Sequence, residues 1–269
     1  MVKTVAIAGL GAIGSPVASE LIDGKIPGLR LVAISARDLA KARRRLGPAG
    51  VDIPVVAPAE IATHADIVVE CLPASAFELV AIPAIEQGRI LLVLSAGALL
   101  GRQDLIDQAR RTGARILVPS GAIIGLDAVN AAVQGQIKSV RIVTRKPPKS
   151  LAGAPLVTAN KIDLDGLSKP LRIFEGSVTE AIRHFPANVN VAAAVSLAGI
   201  GPDRTMIEVF ADPTIERNMQ SLHVESNCST FSLSIESIPS PDNPRTGLMT
   251  PLSVLAALRR LVAPISVGT

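Results

Sequence analysis

The chain has no tryptophan and no tyrosine, and five phenylalanines are its only aromatic residues apart from three histidines. Base stacking on Trp or Tyr is therefore excluded, and nucleic-acid readers built on such platforms go with it. The formal charge is only +4, and "KARRR" at 41–45 is the single basic cluster. We read that cluster as a solvated helix face, and expect no nucleic-acid partner for want of a basic stripe or a reading motif. Cysteine is as scarce: Cys71 and Cys228 lie far apart, without metal-ligand spacing, so neither a disulfide framework nor a metal site is expected. A reducing, cytoplasmic setting fits two isolated thiols. The start runs straight into "KTVAIAG" with no separate apolar segment or cleavage site, so no signal peptide is expected. Apolar runs stay below about 18 residues and are broken by Gly, Pro or charge, so no membrane span is expected either.

What is abundant is aliphatic: apolar residues make up 48% of the chain. Ala, Val, Ile and Leu suit helices packed closely on a sheet. In the first half, strand-like runs ("KTVAIAG", "LRLVAIS", "ADIVVECLP", "RILLVLSAG", "ARILVPSGA") alternate with helical ones ("IGSPVASELIDG", "DLAKARRRLG", "FELVAIPAIEQG", "GRQDLIDQARRTG"). Near-continuous apolar strands in that alternation predict an α/β fold, a Rossmann-type parallel sheet covered on both faces. Directly after the first strand comes Gly9-Leu10-Gly11-Ala12-Ile13-Gly14. Gly9 suits a tight turn, Gly11 lets the backbone approach a pyrophosphate, and Gly14 lets helix and strand pack closely. Gly9, Gly11, Ala12, Ile13 and Gly14 are thus expected to hold a dinucleotide. The second strand ends in Ser35-Ala36-Arg37-Asp38. Ser35 and Arg37, with Arg43 a turn or two later, offer a hydroxyl and guanidinium groups where a ribose-gripping carboxylate is common; Asp38 reads as a helix cap. The cofactor is NAD or NADP, and the choice stays open.

The second half has longer β-rich runs ("IKSVRIVTRKPP", "RTMIEVFAD", "LHVESNCSTFSLSIES") and two long helical segments, near 177–199 and in "TPLSVLAALRRLVAPI". This predicts a second α+β domain with a mixed or antiparallel sheet, covered on one face. We divide the chain into a dinucleotide-binding domain at 1–120, a substrate-binding and oligomerisation domain at 121–247, and a C-terminal helix at about 248–265 that packs back onto the first.

Five motifs then carry a resemblance: "GLGAIG", "VPSGAIIGLDA", "TRKPP", "FPANVNVAAA" and "ADPTIERN", in that order along nearly the whole chain. The sequence resembles the L-aspartate dehydrogenase family. That resemblance implies a two-domain, NAD(P)-dependent oxidation of a small amino dicarboxylic acid, L-aspartate, to its imine. It also implies that Ala122 and an asparagine of "ANVN" contact the cofactor. Asn188 is the better helix cap and Asn190 the better ligand-facing amide, with capping by both still open. Lys146, beside Arg145, and a helix start at Ser120-Gly121-Ala122 are the expected clamps for substrate carboxylates. A homodimer is expected. The family has a catalytic histidine two residues after the asparagine of its "RN" motif; Gln220 stands there, and glutamine takes no proton near neutral pH. His223, three residues on, is the expected base, with the absence of any catalytic histidine and a role for His184 as alternatives, and His64 structural. On an extended strand, however, 220 and 223 point to opposite faces unless a bulge intervenes. Two alternatives stand beside aspartate oxidation. One is a same-fold dehydrogenase or imine/carbonyl reductase acting on another small substrate; the other is a dinucleotide-binding protein without turnover.

Overall fold

Val5, Ala6, Ile7 and Ala8 follow one another in sequence and are all fully buried, which a strand achieves only when both of its faces are covered. The computed structural model describes residues 2–186, 189–241 and 243–268. It divides into two units, Met1–Gly121 with Thr250–Ser266, and Ala122–Met249 with Val267–Thr269.

The first unit carries five parallel strands in the order β2-β1-β3-β4-β5. They are β1 (Lys3–Ala8), β2 (Leu29–Ser35), β3 (Ile67–Glu70), β4 (Ile90–Val93) and β5 (Arg115–Leu117). Strand parity sorts the core. Val5 and Ile7 point to one side, into a cluster with Val17, Ala18 and Leu21 of α1 (Gly14–Ile22) and with Ala42 and Leu46 of α2 (Leu39–Leu46). Ala6 and Ala8 point to the other, towards Val80, Ala81 and Ala84 of α3 (Glu78–Glu86) and Leu105 of α4 (Gln103–Thr112). The chain winds from β1 outward to β2, then crosses back to β3 on β1's other side. Their carboxyl ends therefore flank a topological switch point, the place where such sheets bind ligands.

The second unit is built on β6 (Ile137–Lys146), β7 (Leu171–Ser177), β8 (Thr205–Ala211), β9 (Asn218–Ser226) and β10 (Thr230–Ser237). Their order is β10-β9-β6-β8-β7, with β6 and β8 parallel and the other pairs antiparallel. Burial now alternates: Val140, Ile142, Thr144 and Lys146 of β6 are buried, while Arg141 is exposed. Of the helices α5 (Leu126–Ala132), α6 (Pro155–Ala159), α7 (Val178–His184) and α8 (Asn190–Ala198), α7 and α8 pack on β8. The helix expected near 177–199 is thus two helices. Phe185 precedes Pro186, which disfavours α geometry, and it sits at φ −138, ψ 53. The expected single run at 222–237 is a hairpin, turned where the Ser226 hydroxyl accepts the Ser229 N–H at 3.0 Å. Finally α9 (Met249–Arg260) returns to the first unit, where Val254, Leu255 and Leu258 join the cluster around Val5 and Ile7.

Candidate functional site

The glycine loop closes the tip of β1 against that of β2, through a Gly9 N–H to Ser35 carbonyl bond of 2.8 Å. Gly9 has φ +97, and a Cβ there would meet the Cys71 carbonyl oxygen at 2.7 Å. A Cβ on Gly14 would meet the Gly9 carbonyl oxygen at 1.9 Å. The chain's own packing therefore requires glycine at both positions. Gly11 differs: among the described residues, no heavy atom beyond its two chain neighbours lies within 4 Å of where a Cβ would stand. The space beside Gly11 is open, as close approach of a pyrophosphate to the backbone requires. Ala12 and Ile13 lead into α1, whose first turn has neither a side-chain cap nor an acidic residue. Its N-terminal N–H groups and dipole suit an anion.

At the end of β2, Ser35 is buried and Arg37 is exposed. Asp38 caps α2, accepting the Lys41 N–H at 2.9 Å. The solvated-face reading of "KARRR" needs correction. Arg43 is folded onto the loop behind α2, donating to the carbonyls of Gly50, Val51 and Ile53 at 3.1, 2.7 and 2.8 Å. These bonds take it out of the expected phosphate site. Arg45 donates to the Leu10 carbonyl and to Ser15 Oγ, at the glycine loop itself. Nothing in a run of arginines signals which ones fold back.

Glu70 is a functional-site neighbour that the sequence reading missed. Fully buried at the end of β3, it accepts from Leu72 N (2.8 Å), Leu94 N (3.2 Å), Ser95 N (3.0 Å) and Ser95 Oγ (3.1 Å). Burial pushes its pKa up, against the pull of those donors. It staples the β3 and β4 tips beside the switch point. Burial first, and then Glu70, also push up the neighbouring Cys71 thiol.

The expected helix start at Ser120-Gly121-Ala122 is absent. Residues 121 and 122 form a turn, Gly121 has φ +63 and donates its N–H to Ser253 Oγ at 3.0 Å, and α5 begins only at Leu126. Ser120 and Ala122 are half-buried in this segment. The "TRKPP" pair also divides, because adjacent strand residues face opposite ways. Lys146 is buried, 5% exposed, on the covered face. Arg145 is on the other face, paired with Asp212 at 3.0 Å and lying 4.7 Å over the Phe210 ring. Burial works against the Asp212 carboxylate, but hydrogen bonds from Thr214 and from Arg145 outweigh it and hold its pKa low.

The covered face of β6 and β9 carries a buried polar strip. Thr144 Oγ1 donates to Gln220 Oε1 at 2.7 Å, and both side chains are buried. Lys146 lies two residues along β6, and Asn218 two residues back along β9. Asn218 Oδ1 is buried with no hydrogen-bond partner among the described residues. His223 does not join them. The register runs unbroken from Thr144↔Gln220 to Arg141↔His223, so no bulge restores its aim. It lies exposed on the opposite face, with Nδ1 2.9 Å from Ser232 Oγ. His184, at the end of α7, packs its ring against Phe174 at 5.5 Å; His64 is exposed. Asn190 is the first residue of α8 and exposed, Val189 holds the cap position, and Asn188 lies outside the described residues. Among the described residues no group of three or more His, Cys, Asp or Glu side chains could hold a metal ion, and no helix is long and apolar enough to cross a membrane.

Two family models match the chain, the second running on through α9, which packs with the first unit. Residues 9–119 match the family model "Homoserine dehydrogenase, NAD binding domain", and residues 127–261 match "Aspartate dehydrogenase, C-terminal". An L-aspartate dehydrogenase of Bradyrhizobium diazoefficiens is 51% identical over 265 residues, covering 98% of this chain and 94% of that protein. L-aspartate dehydrogenase 3 of Bordetella bronchiseptica is 46% identical, covering 98% and 97%. The crystal structure of aspartate dehydrogenase from Thermotoga maritima superposes with a TM-score of 0.77 at 27% identity, over 100% of both chains. Identity at this level, sustained through the NAD-binding domain and the second sheet alike, makes this chain a member of the L-aspartate dehydrogenase family of NAD(P)-dependent oxidoreductases.

Proposed function

We propose that this protein oxidises L-aspartate at Cα to iminoaspartate, or catalyses the reverse reduction, with NAD or NADP as redox partner. The observation that carries the reading is the 51% identity to a named L-aspartate dehydrogenase, which runs through both units and not through the glycine loop alone. When bound, the nicotinamide cofactor supplies the hydride acceptor. The protein supplies position and proton traffic. Gly9, Gly11, Ala12, Ile13 and Gly14 cradle the pyrophosphate, and Ala122 with Asn190 or Asn188 meets the rest of the cofactor. Lys146, a buried cation on the polar strip, answers a substrate carboxylate, with Ser120 a second polar contact. Gln220, its amide held by Thr144, orients substrate by hydrogen bonding and takes no proton. We assign no base to His223, because Lys146, Thr144 and Gln220 share a face that it does not.

The same glutamine supports a second reading, in which this fold member prefers another small amino or imino acid. A panel of L-amino acids, and of 2-oxo acids with ammonia, decides by NAD(P)H absorbance. L-aspartate is expected to give the highest kcat/KM; a tenfold preference for another acid selects the second reading, and turnover of none overturns both. A homodimer and a cytoplasmic location belong to the same proposal. The free thiols of Cys71 and Cys228 support a reducing compartment, and light scattering tests the dimer.

A further inference from the structure

We infer that Arg45 selects the phosphorylated dinucleotide, binding the adenosine 2′-phosphate of NADP beside the glycine loop; the inference rests on the dinucleotide reading above. In folds of this type a carboxylate at the end of the second strand accepts from the ribose 2′-hydroxyl, whereas a basic group there admits a 2′-phosphate. This strand ends in Ser35-Ala36-Arg37. The first carboxylate after it, Asp38, is occupied by the Lys41 N–H as the cap of α2, and α2 itself (LAKARRRL) contains no acid. The local charge is therefore positive, and among the described residues from the end of β2 through α2 no uncommitted carboxylate is placed to hold a 2′-hydroxyl.

The arginines of α2 divide by where they reach. Arg44 is exposed, and Arg43 is bound to three carbonyls of the loop that follows. Arg45 turns towards the dinucleotide cradle and is held, half-buried, by the Leu10 carbonyl and by Ser15 Oγ. Leu10 sits between Gly9, whose N–H is bonded to the β2 tip, and Gly11, whose outer side is open. A guanidinium already ordered there loses little further side-chain entropy on binding, and its planar fork matches a phosphate monoester. The pyrophosphate has its own partners at the N-terminus of α1, over Gly11. Arg45 comes instead from the helix that follows β2, the strand whose end reads the adenosine ribose.

Calorimetric titration of the full chain with NADPH, NADH, 2′,5′-ADP and 5′-ADP tests the assignment without relying on turnover. The unsubstituted protein is expected to bind NADPH more tightly than NADH, and 2′,5′-ADP more tightly than 5′-ADP. Arg45→Ala should weaken NADPH and 2′,5′-ADP by about 10- to 100-fold, the scale of a lost charge-assisted bond, and shift NADH and 5′-ADP by less than about twofold. Arg45→Lys, which keeps the charge without the fork, should recover part of the loss. Equal losses for NADPH and NADH overturn the inference, because Arg45 then serves the pyrophosphate or only the loop. If melting curves show Arg45→Ala to be unfolded, Arg45→Gln decides, and undiminished NADPH preference in it overturns the inference. Failure of the unsubstituted chain to bind either dinucleotide overturns the underlying reading as well, a result distinct from equal losses.

Discussion

The two sheets solve the problem of building a site in opposite ways. In the first unit the strands are buried on both faces, so side chains along them are committed to the core. What remains open lies at the strand ends and is mostly backbone: a glycine with space beside it and N–H groups at a helix start, next to a buried carboxylate stapling two tips. In the second unit one face is open. Side chains in mid-strand then divide between the two faces, and parity decides which of them meet: Thr144 with Gln220 on the covered face, His223 with Ser232 on the exposed one. The first kind of site should fail when space is filled, the second when a buried polar partner is removed.

The largest effect should come from filling space that the fold itself uses. Gly14→Val places a Cβ on the Gly9 carbonyl and is expected to cost about 3 kcal/mol or more, read as a fall in the denaturation midpoint. An unchanged midpoint would mean that the loop relaxes freely. Gly11→Val fills only open space, so the same measurement should barely move while NADH and NADPH binding weakens by about 100-fold or more. Retained binding by this variant would remove the pyrophosphate from the cradle. In the second sheet, Thr144→Val leaves the buried Gln220 carbonyl without its donor. The expected loss is about 1–3 kcal/mol of stability, with a raised KM for substrate and unaltered cofactor affinity. A neutral Thr144→Val would mean that another donor takes over. The smallest effect belongs to His223→Ala. Its ring sits on the exposed face against Ser232, so stability should change by less than about 0.5 kcal/mol and turnover by less than about twofold. A loss of 10²-fold or more, the scale of a missing general base, would restore His223 to the mechanism and break the parity argument.

Most of the first unit is legible in the sequence because its signals are local. Strand, glycine turn and helix follow within a few residues, and Asp38 caps the helix that its position announces. Glu70 is not legible: apart from the Leu72 N–H two residues on, its donors come from 24 and 25 residues further along, joined only when β3 and β4 pair. The same holds for the division of labour among Arg43, Arg44 and Arg45, which depends on where a helix end meets two loops. In the second unit, parity rightly separates Gln220 from His223, and the resemblance marks the position. The contact between Gln220 and Thr144 spans 76 residues and needs the register of β6 against β9, which no local pattern encodes. β7 escaped notice because its burial hardly alternates and its pairing is interrupted between Arg172 and Phe174.

The return of α9 reverses the usual order in which a nascent chain takes shape. Domains generally fold as they leave the ribosome, amino-terminal first. Here Val254, Leu255 and Leu258 seal the same core as Val5 and Ile7, and Ser253 accepts the N–H of Gly121. The nucleotide-binding unit, begun first, therefore waits for the last segment to be synthesised, while every strand of the second sheet has already emerged. Its premature forms expose the apolar strip that α9 will cover, and a stop codon just before Met249 damages the part of the protein that was made at the beginning.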